Sequence, residues 1–239
     1  MKRFALIIEA SDVDSSKLPG AKVDAQTYHD WMYSKSGGDW FSSEMVTLHS
    51  PTVAEVKRAI STVGKTDYAF VSFSGHGFHS KELDKTKICL KGGTMTAREI
   101  VPDTDRCTVV IDACRNVMPD KLLESVMLAY GYSEKRAELA QRDYRKDFEV
   151  QVAAAEKGTI FLYSCDLDEA AGEDRNGGYF SRYLVKAGRT FADRNGDGSK
   201  WYSMARAFEQ ASVATTEHNK QQHPKYEPGR RLIHFPWGV

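Results

Sequence analysis

YAFVSFSGHG at residues 68–77 and CTVVIDACRN at residues 107–116 are the two stretches that decide the fold of this chain. Each begins with a short run of β-branched, aromatic and other apolar residues, which is typical of a strand buried on both faces. If the two strands are parallel neighbours, His76 and Cys114 emerge side by side at the carboxyl edge of the sheet, where open α/β sheets place their sites. The sequence therefore predicts an imidazole beside a thiol, which is a nucleophile with its own base.

The overall composition is that of an ordinary globular protein, with 41% hydrophobic and 28% charged residues among 239. Lysine plus arginine and aspartate plus glutamate number 33 each, which argues against a nucleic-acid-binding surface. No apolar run approaches the about 20 residues needed to span a bilayer. The apolar run at the N-terminus ends at Glu9 and predicts a first strand rather than a signal peptide. We expect neither direct nucleic-acid binding nor a membrane partner.

The cysteines show no CxxC pairing and no disulfide density. They are Cys89, Cys107, Cys114 and Cys165. This usage is typical of a reducing compartment. We therefore expect a cytoplasmic protein in which a catalytic thiol stays free.

In the first half of the chain, short apolar runs alternate with helical periods. The patterns predict strands at 4–9 and 44–49, helices at 21–33 and from 52 to about 63, and a β-hairpin at 78–94. Thr52 is the candidate N-cap of the second helix, with Glu55 three residues later in a capping-box pattern. This alternation predicts a parallel sheet covered by helices.

The second half begins with a long charged segment, residues 120–157, which we interpret as a solvated helix or a mobile linker. Beyond it, the patterns predict a strand at 159–165, helices starting at 179 and over 201–218, a loop at 221–229 and a last strand at 230–236.

The chemistry predicted at the two strand ends is attack by the Cys114 thiolate on a carbonyl, with His76 as base and acid. The N–H groups of Gly77 and Cys114 would hold the oxyanion of the tetrahedral intermediate. A lone histidine after a strand and a buried cysteine are each usually structural. The two together, at the ends of two buried strands, favour a function.

The blocks SGHG at 74–77 and DACRN at 112–116 resemble the two signature blocks of caspase-like cysteine peptidases, including metacaspases and their bacterial relatives. The caspase pattern is Q-A-C-[RQG]-G with a histidine about 50 residues upstream. Here His76 and Cys114 are closer together, Asp112 replaces the glutamine, and Asn116 replaces the last glycine. The chain is therefore not a close relative of animal caspases, and we expect its S1 pocket to differ.

The resemblance implies a caspase-like three-layer α/β/α sandwich, with a mostly parallel six-stranded sheet and a small peripheral hairpin. It covers almost the whole chain and implies a single peptidase domain over residues 1–239. Within it, residues 1–118 correspond to the large subunit, 119–157 to a linker or helical segment, and 158–239 to the small subunit.

Asp112 precedes the nucleophile by two residues and so shares its side of a strand. In metacaspases, an aspartate here resembles the floor of an S1 pocket for Arg or Lys, and Ser74 and Asp24 match two further pocket residues. For Asp24, an exposed helix residue is an equal alternative. Two carboxylates would favour a guanidinium or ammonium group and repel an acidic P1 side chain.

Further candidates lie at the end of the predicted strand at 159–165 and directly after it. In this family that strand borders the substrate groove. They are Ser164, Cys165, Asp166 and Asp168. The two aspartates would add acidity to the pocket. For Cys165 a structural role is the default interpretation.

A candidate metal loop at Asp193, Asn195 and Asp197 matches the first half of an EF-hand, D-x-N-x-D-G. The glutamate at loop position twelve would fall on Met204, so a tight turn is the favoured interpretation. We expect no required cofactor, with calcium, which often activates metacaspases, as the alternative.

Basic residues in the charged segment suggest a self-cleavage region, although a solvated helix that is never cut is the favoured alternative. They are Lys135, Arg136, Arg142, Arg145 and Lys146.

The sequence thus predicts a cysteine endopeptidase that cleaves protein or peptide substrates after Arg, then Lys. The resemblance implies an effector in a stress or defence pathway. Activation would come from a partner protein, a ligand or cleavage, or the enzyme would be constitutive. Two alternatives stay open: a catalytically silent regulatory protein of the same fold, and a thiol acyltransferase.

Overall fold

The structure is a computed structural model that describes residues 1–13, 17–118, 142–194 and 200–239. Strands and helices alternate along the first part of the chain. In order they are β1 (Arg3–Ala10), α1 (Pro19–Tyr33), a 3₁₀ turn (Ser42–Glu44), β2 (Met45–His49), α2 (Val53–Val63) and β3 (Tyr68–Gly75). Thr52 caps α2 and forms the predicted capping box with Glu55.

The rest of the chain adds short strands and three helices. First come β4 (Gly77–Ser80), β5 (Lys85–Leu90), β6 (Gly93–Thr96), β7 (Arg106–Asp112) and β8 (Val117–Met118). Then follow α3 (Tyr144–Ala154), β9 (Gly158–Tyr163), β10 (Glu173–Asp174), β11 (Gly177–Gly178), α4 (Tyr179–Asp193), β12 (Tyr202–Ser203), α5 (Met204–His218), β13 (Lys225–Glu227) and β14 (Pro236–Gly238). None of the helices in the described ranges is long and apolar enough to cross a membrane.

Six strands form a central sheet in the order β13-β9-β7-β3-β1-β2. β2, β1, β3, β7 and β9 are mutually parallel, whereas β13 runs antiparallel to β9. β1 and β3 are buried along their whole length. This burial on both faces explains why their sequences are continuously apolar. The predicted mostly parallel six-stranded sheet is confirmed.

Side chains of the central strands alternate between two cores, one on each face of the sheet. Ile7 lies in the core that includes Tyr28 of α1 and Leu184 of α4. Leu6 lies in the opposite core, which includes Val56 of α2 and the inner residues of the peripheral strands. Helices therefore cover both faces, and the predicted three-layer α/β/α architecture is confirmed.

The predicted peripheral hairpin belongs to a four-stranded sheet in the order β6-β5-β4-β8. β4 begins immediately after His76, and β8 follows the turn that holds Cys114. These two strands pair in parallel, with His79 opposite Val117. The chain segments that leave the two reactive residues therefore stay adjacent beyond the central sheet.

The last strand of the central sheet is not the one predicted at residues 230–236, and that prediction is wrong. β13 lies inside the predicted loop and pairs Tyr226 with Leu162. β14 begins at Pro236 and pairs with β12 in a separate two-stranded sheet. Three residues are too few to show a period, and the apolar Leu232 that suggested a strand is 93% exposed.

Residues 119–141 of the predicted linker lie outside the described residues, as do Lys135 and Arg136. The end of that segment forms α3, which buries Phe148 and Val152. This part of the charged segment is therefore packed on the core and is not a purely solvated helix. The subunit-like division of the domain stays a prediction.

An ion cluster fastens α3 to the start of the chain. Arg145 donates to both carboxylate oxygens of Glu44, at 2.8 and 2.6 Å, and Arg3 lies 3.3 Å from the same group. Burial alone would raise the pKa of Glu44, but hydrogen bonds from Arg145 and the Phe41 backbone outweigh it and lower the pKa. Glu44 is therefore one of two carboxylates, together with Glu149, that the two guanidinium groups share.

Glu44→Gln should lower the free energy of unfolding by about 2 kcal/mol, because it leaves Glu149 as the remaining carboxylate that pairs with both Arg3 and Arg145. The folded-state pKa of Glu44 is lowered, so its carboxylate stabilises the fold above its unfolded pKa of about 4.3. That contribution is lost as pH falls through the folded-state value. Urea denaturation of both proteins at neutral and acid pH measures the difference, which should shrink in acid.

The matched control is Asp147→Asn, because Asp147 pairs with Arg142 on the exposed surface. Its cost should stay under about 1 kcal/mol. Equal costs for the two variants, or a Glu44 effect that does not change with pH, would contradict the account.

Candidate active site

The two predicted reactive residues lie at the ends of adjacent parallel strands. Ser74 on β3 pairs in register with Asp112 on β7, and His76 and Cys114 each follow two residues later. A Cβ atom placed on Gly77 would lie 2.8 Å from the Ala113 Cβ and 3.2 Å from the Cys114 carbonyl oxygen. The segment after His76 therefore approaches the cysteine turn closely, and glycine permits that approach.

Cys114 is the half-buried cysteine of the chain, and its Sγ lies 3.9 Å from the carbonyl oxygen of Ala171. Burial raises the pKa of this thiol, and the charges of Asp112 and Glu173 raise it further. A thiol with a raised pKa is protonated at neutral pH and needs a base before it can attack. His76, at the end of the neighbouring strand, stays the predicted base.

The backbone next to Cys114 is fixed by the loop that follows β9. The Arg115 N–H donates to the Glu169 carbonyl at 2.9 Å, and the Asp168 N–H donates to the Arg115 carbonyl at 3.0 Å. This pair of bonds joins the cysteine turn to the second half of the chain. Cys114 is thus held between two segments that are far apart in sequence.

The Arg115 side chain is a buried anchor for the same turn. Its Nε donates to Thr86 Oγ1 at 3.0 Å, and its Nη1 donates to the Cys165 carbonyl at 3.2 Å. The guanidinium carbon lies 4.0 Å from the centre of the Tyr163 ring, within cation–π distance. This guanidinium therefore connects the peripheral sheet, the cysteine turn and the end of β9.

The two carboxylates predicted to line a pocket are brought together. Ser74 Oγ donates to Asp24 Oδ2, and the Gly178 N–H donates to Asp24 Oδ1 at 2.9 Å. Ser181 donates to Asp112 Oδ2 from its N–H at 3.0 Å and from its hydroxyl at 2.6 Å. The alternative interpretation of Asp24 as an exposed helix residue is wrong, because it is only 2% exposed.

The acidic pair is electrostatically unbalanced. Burial raises the pKa of Asp24, and the neighbouring Asp112 raises it further. Burial also raises the pKa of Asp112, which is 5% exposed. Among the residues that the structure describes, no Lys or Arg forms an ion pair with either carboxylate. A bound cationic group would supply the charge that the protein itself does not.

A third carboxylate, Glu173, lies beside this pair and was not predicted. Its Oε1 accepts from the Gly20 N–H at 3.4 Å, at the start of α1. Burial raises its pKa, Asp112 raises it further, and His76 lowers it. The acidic loop at 166–178 was the available signal, but a loop has no period that would single out one residue.

Ser164 and Cys165 lie beneath the cysteine turn and are fully buried. Ser164 Oγ accepts from the Ala113 N–H at 3.2 Å, and Cys165 Sγ lies 3.4 Å from the Ala113 carbonyl oxygen. Burial raises the pKa of Cys165 to about 12. These positions favour packing under the nucleophile, and a contact of either side chain with substrate stays a prediction.

Asp166 and Asp168 make their contacts elsewhere. Asp166 pairs with Lys225 at 3.3 Å, and Asp168 Oδ1 accepts from the Val117 N–H at 3.2 Å. Neither hydrogen-bonds to Asp24 or Asp112. The structure therefore gives no support to the prediction that they add acidity to the pocket.

The candidate metal loop is only partly described. Asp193 ends α4, whereas Asn195 and Asp197 lie outside the described residues. Within the described ranges, no three His, Cys, Asp or Glu side chains converge on a common metal position.

The comparisons with known proteins concern the family and the fold of the chain. The family model described as the caspase domain matches residues 2–231. The chain belongs to the caspase-domain family. The crystal structure of protein GSU0716 from Geobacter sulfurreducens is similar, with a TM-score of 0.57 and 17% identity over 95% of this chain and 93% of that chain. That likeness concerns the fold alone. No curated protein matches the sequence.

Arg115 directly follows the expected nucleophile in the sequence, and its anchoring role can be tested by removing its side chain. Arg115→Met should lower the free energy of unfolding by about 2 kcal/mol, because Thr86 Oγ1 and the Cys165 carbonyl lose a charged donor. Urea denaturation checks the value.

Arg98→Met is the matched control, because Arg98 lies over Phe161, which stacks on Tyr163, but is largely exposed. We expect under about 1 kcal/mol for that variant. If both variants cost the same, the anchoring role of Arg115 is wrong.

Proposed function

We propose that this caspase-domain chain is a cysteine endopeptidase that cleaves after Arg and, less readily, after Lys. The observation that carries the proposal is the buried pair Asp24 and Asp112, which has no cationic partner in the described residues and adjoins the turn of Cys114. A basic P1 side chain would complete the charge balance of this pocket. An acidic P1 side chain would add a further negative charge and be repelled.

In the proposed reaction, His76 takes the Cys114 proton and the thiolate attacks the scissile carbonyl carbon. The N–H groups of Gly77 and Cys114 stabilise the oxyanion. The intermediate collapses as His76 gives its proton to the leaving amine, which leaves an acyl group on Cys114. Water, deprotonated by His76, then releases the new carboxyl end and restores the thiol.

The preference for Arg over Lys rests on geometry as well as charge. A guanidinium group has a planar fork of donors that can engage two carboxylates at once, whereas an ammonium group is a compact point charge. Asp24 and Asp112 approach the pocket from α1 and β7, so they present acceptors from two directions. This arrangement favours the wider donor set of Arg.

The wider setting of the reaction is also part of the proposal. An effector role in a stress or defence pathway and activation by a partner, a ligand such as calcium or cleavage follow from the family resemblance. A cytoplasmic location follows from cysteine usage. Cleavage at Arg145 or Lys146 is disfavoured, because both lie in α3 rather than in an extended segment.

Fluorogenic peptides that differ only at P1 test the proposal. Wild-type protein should turn over the Arg peptide fastest, the Lys peptide more slowly and the Asp peptide not at all. Cys114→Ala and His76→Ala should each abolish turnover, because they remove the nucleophile and its base. Cys165→Ala is the control and should keep activity.

Turnover by Cys114→Ala would contradict the assignment of the nucleophile, and a preference for Asp at P1 would contradict the pocket. No turnover by the wild type, with or without calcium, would favour a catalytically silent protein. Transfer of the acyl group to an added amine rather than to water would favour an acyltransferase.

The pocket should also make substrate binding depend on pH. Because burial and mutual repulsion raise the pKa of Asp24, and burial that of Asp112, the pair takes up a proton at higher pH than an exposed carboxyl group. KM for the Arg peptide should therefore rise as pH falls, since a protonated pocket binds the guanidinium less tightly. Steady-state kinetics across the pH range measures this.

Asp112→Asn should lower kcat/KM for the Arg peptide by about 10- to 100-fold, because it removes a charge-assisted acceptor. Asp166→Asn removes an exposed carboxylate outside the pocket and should change kcat/KM by less than about twofold. Equal effects of the two variants, or a KM that is independent of pH, would contradict the pocket assignment.

A further inference from the structure

A chain of hydroxyl groups leads from the core to the acidic pocket. The Tyr28 hydroxyl donates to Ser181 Oγ at 2.9 Å, and the Ser181 hydroxyl donates to Asp112 Oδ2 at 2.6 Å. Tyr28 and Ser181 are 1% and 0% exposed. Three successive polar groups are therefore sealed from water and depend on one another for hydrogen bonds.

The direction of each bond follows from the chemistry of the groups. An ionised carboxylate only accepts hydrogen bonds, so the Ser181 hydroxyl must donate its one hydrogen to Asp112. The lone pairs of Ser181 Oγ then accept the hydrogen of Tyr28. Each donor in such a chain polarises the next, so the tyrosine strengthens the bond that reaches the carboxylate.

The backbone contributes a second bond at the same oxygen. Ser181 lies in the first turn of α4, where N–H groups have no partner within the helix. Its N–H donates to Asp112 Oδ2 at 3.0 Å. Asp112 Oδ2 thus accepts two bonds from one residue, which fixes the carboxylate in one orientation.

We propose that Tyr28 and Ser181 are positioning residues of the acidic pocket, which keep Asp112 ionised and aim its carboxylate at a bound basic group. The effect on substrate preference rests on the proposed peptidase function. The effect on Asp112 itself does not, because it requires only the folded chain.

Packing alone does not account for the hydroxyl of Tyr28. Its ring centre lies 5.6 Å from that of Phe70 and 6.3 Å from that of Trp237, contacts that a phenylalanine would also make. A buried hydroxyl costs free energy unless it is hydrogen-bonded. If the Ser181 hydroxyl were absent, a phenylalanine would therefore suit this position better than a tyrosine. The hydroxyl therefore belongs to the polar chain.

The same core contains a matched pair that ends without a carboxylate. Tyr68 and Thr108 are both buried, and their hydroxyl oxygens lie 3.0 Å apart. Tyr68→Phe removes one buried hydroxyl bond, as Tyr28→Phe does. The two variants thus separate the general cost of a lost hydroxyl from an effect on the pocket.

The titratable groups that act on Asp112 come from four directions. Asp24 and Tyr28 face it from α1, Glu173 from β10, Cys114 from its own turn, and Cys165 from the end of β9. None of these groups is a cation at neutral pH. Removing a donor should therefore leave the Asp112 charge with less support and move its titration to higher pH.

Carbon-13 NMR titration of the aspartate carboxyl groups tests the proposal without any substrate. Asp112→Asn identifies the Asp112 resonance. In Tyr28→Phe the pKa of Asp112 should move upward, and in Ser181→Ala it should move further. In Tyr68→Phe it should stay at the wild-type value. Ser181→Thr keeps the hydroxyl, so the pKa of Asp112 in that variant should return most of the way from the Ser181→Ala value to the wild-type value.

An unchanged Asp112 titration in Tyr28→Phe, or an equal shift in Tyr68→Phe, would overturn the proposal. The aromatic signals of Phe70 and Trp237 report whether each variant keeps the packed core. Tyr28→Phe keeps the whole ring, so it remains a fair test if Ser181→Ala fails to fold.

Kinetics supplies the second arm. Ser181→Ala should lower kcat/KM for the Arg peptide by about tenfold, because a bond to a charged group is lost. The rate at which iodoacetamide alkylates Cys114 should not fall, since Ser181→Ala leaves the nucleophile in place and can only weaken the Asp112 charge that raises the thiol pKa. Shifted Asp112 titrations together with a wild-type chain that cleaves nothing would support the positioning role and reject the peptidase function.

Discussion

Ser74 on β3 lies directly opposite Asp112 on β7, and the candidate site depends on this one register. It places His76 and Cys114, which each follow two residues later, at the same carboxyl edge of the sheet. It also turns both polar side chains toward α1 and α4. A slip of one residue would move Asp112 to the other face of the sheet, away from Asp24. The long buried runs of the two strands resist such a slip.

The candidate site buries two acidic side chains of like charge, Asp24 and Asp112, which lowers the stability of the fold. Burial opposes ionisation of both carboxylates, and their repulsion adds to the cost. Hydroxyl groups and the N–H groups of Gly178 and Ser181 offset part of that cost without adding a positive charge. A pocket neutralised by an internal arginine would be more stable but closed to a basic ligand. The structure thus keeps an unfavourable charge pair that a bound cation would relieve.

Much of the fold and the centre of the site could be predicted from the sequence. The continuous apolar runs identified the central strands, and the residues after them identified His76 and Cys114. Asp112 was identified because it precedes Cys114 by two residues and therefore lies on the same side of the strand. The remainder depended on tertiary contacts that leave no local pattern. Glu173 belongs to β10, which has only two residues, and β13 has only three residues. Asp166 and Asp168 are acidic and close to Cys114 in the fold, yet Asp166 pairs with Lys225 and Asp168 accepts from the Val117 N–H.

The proposed reaction requires one thiol and one acidic pocket to act on the same substrate residue. The most direct measurement is labelling with a peptidyl chloromethyl ketone that carries Arg at P1, followed by tandem mass spectrometry. We expect a single adduct on Cys114, formed much faster than with the matching Asp reagent and more slowly in Asp112→Asn. An adduct on Cys165, or equal rates for the Arg and Asp reagents, would contradict it.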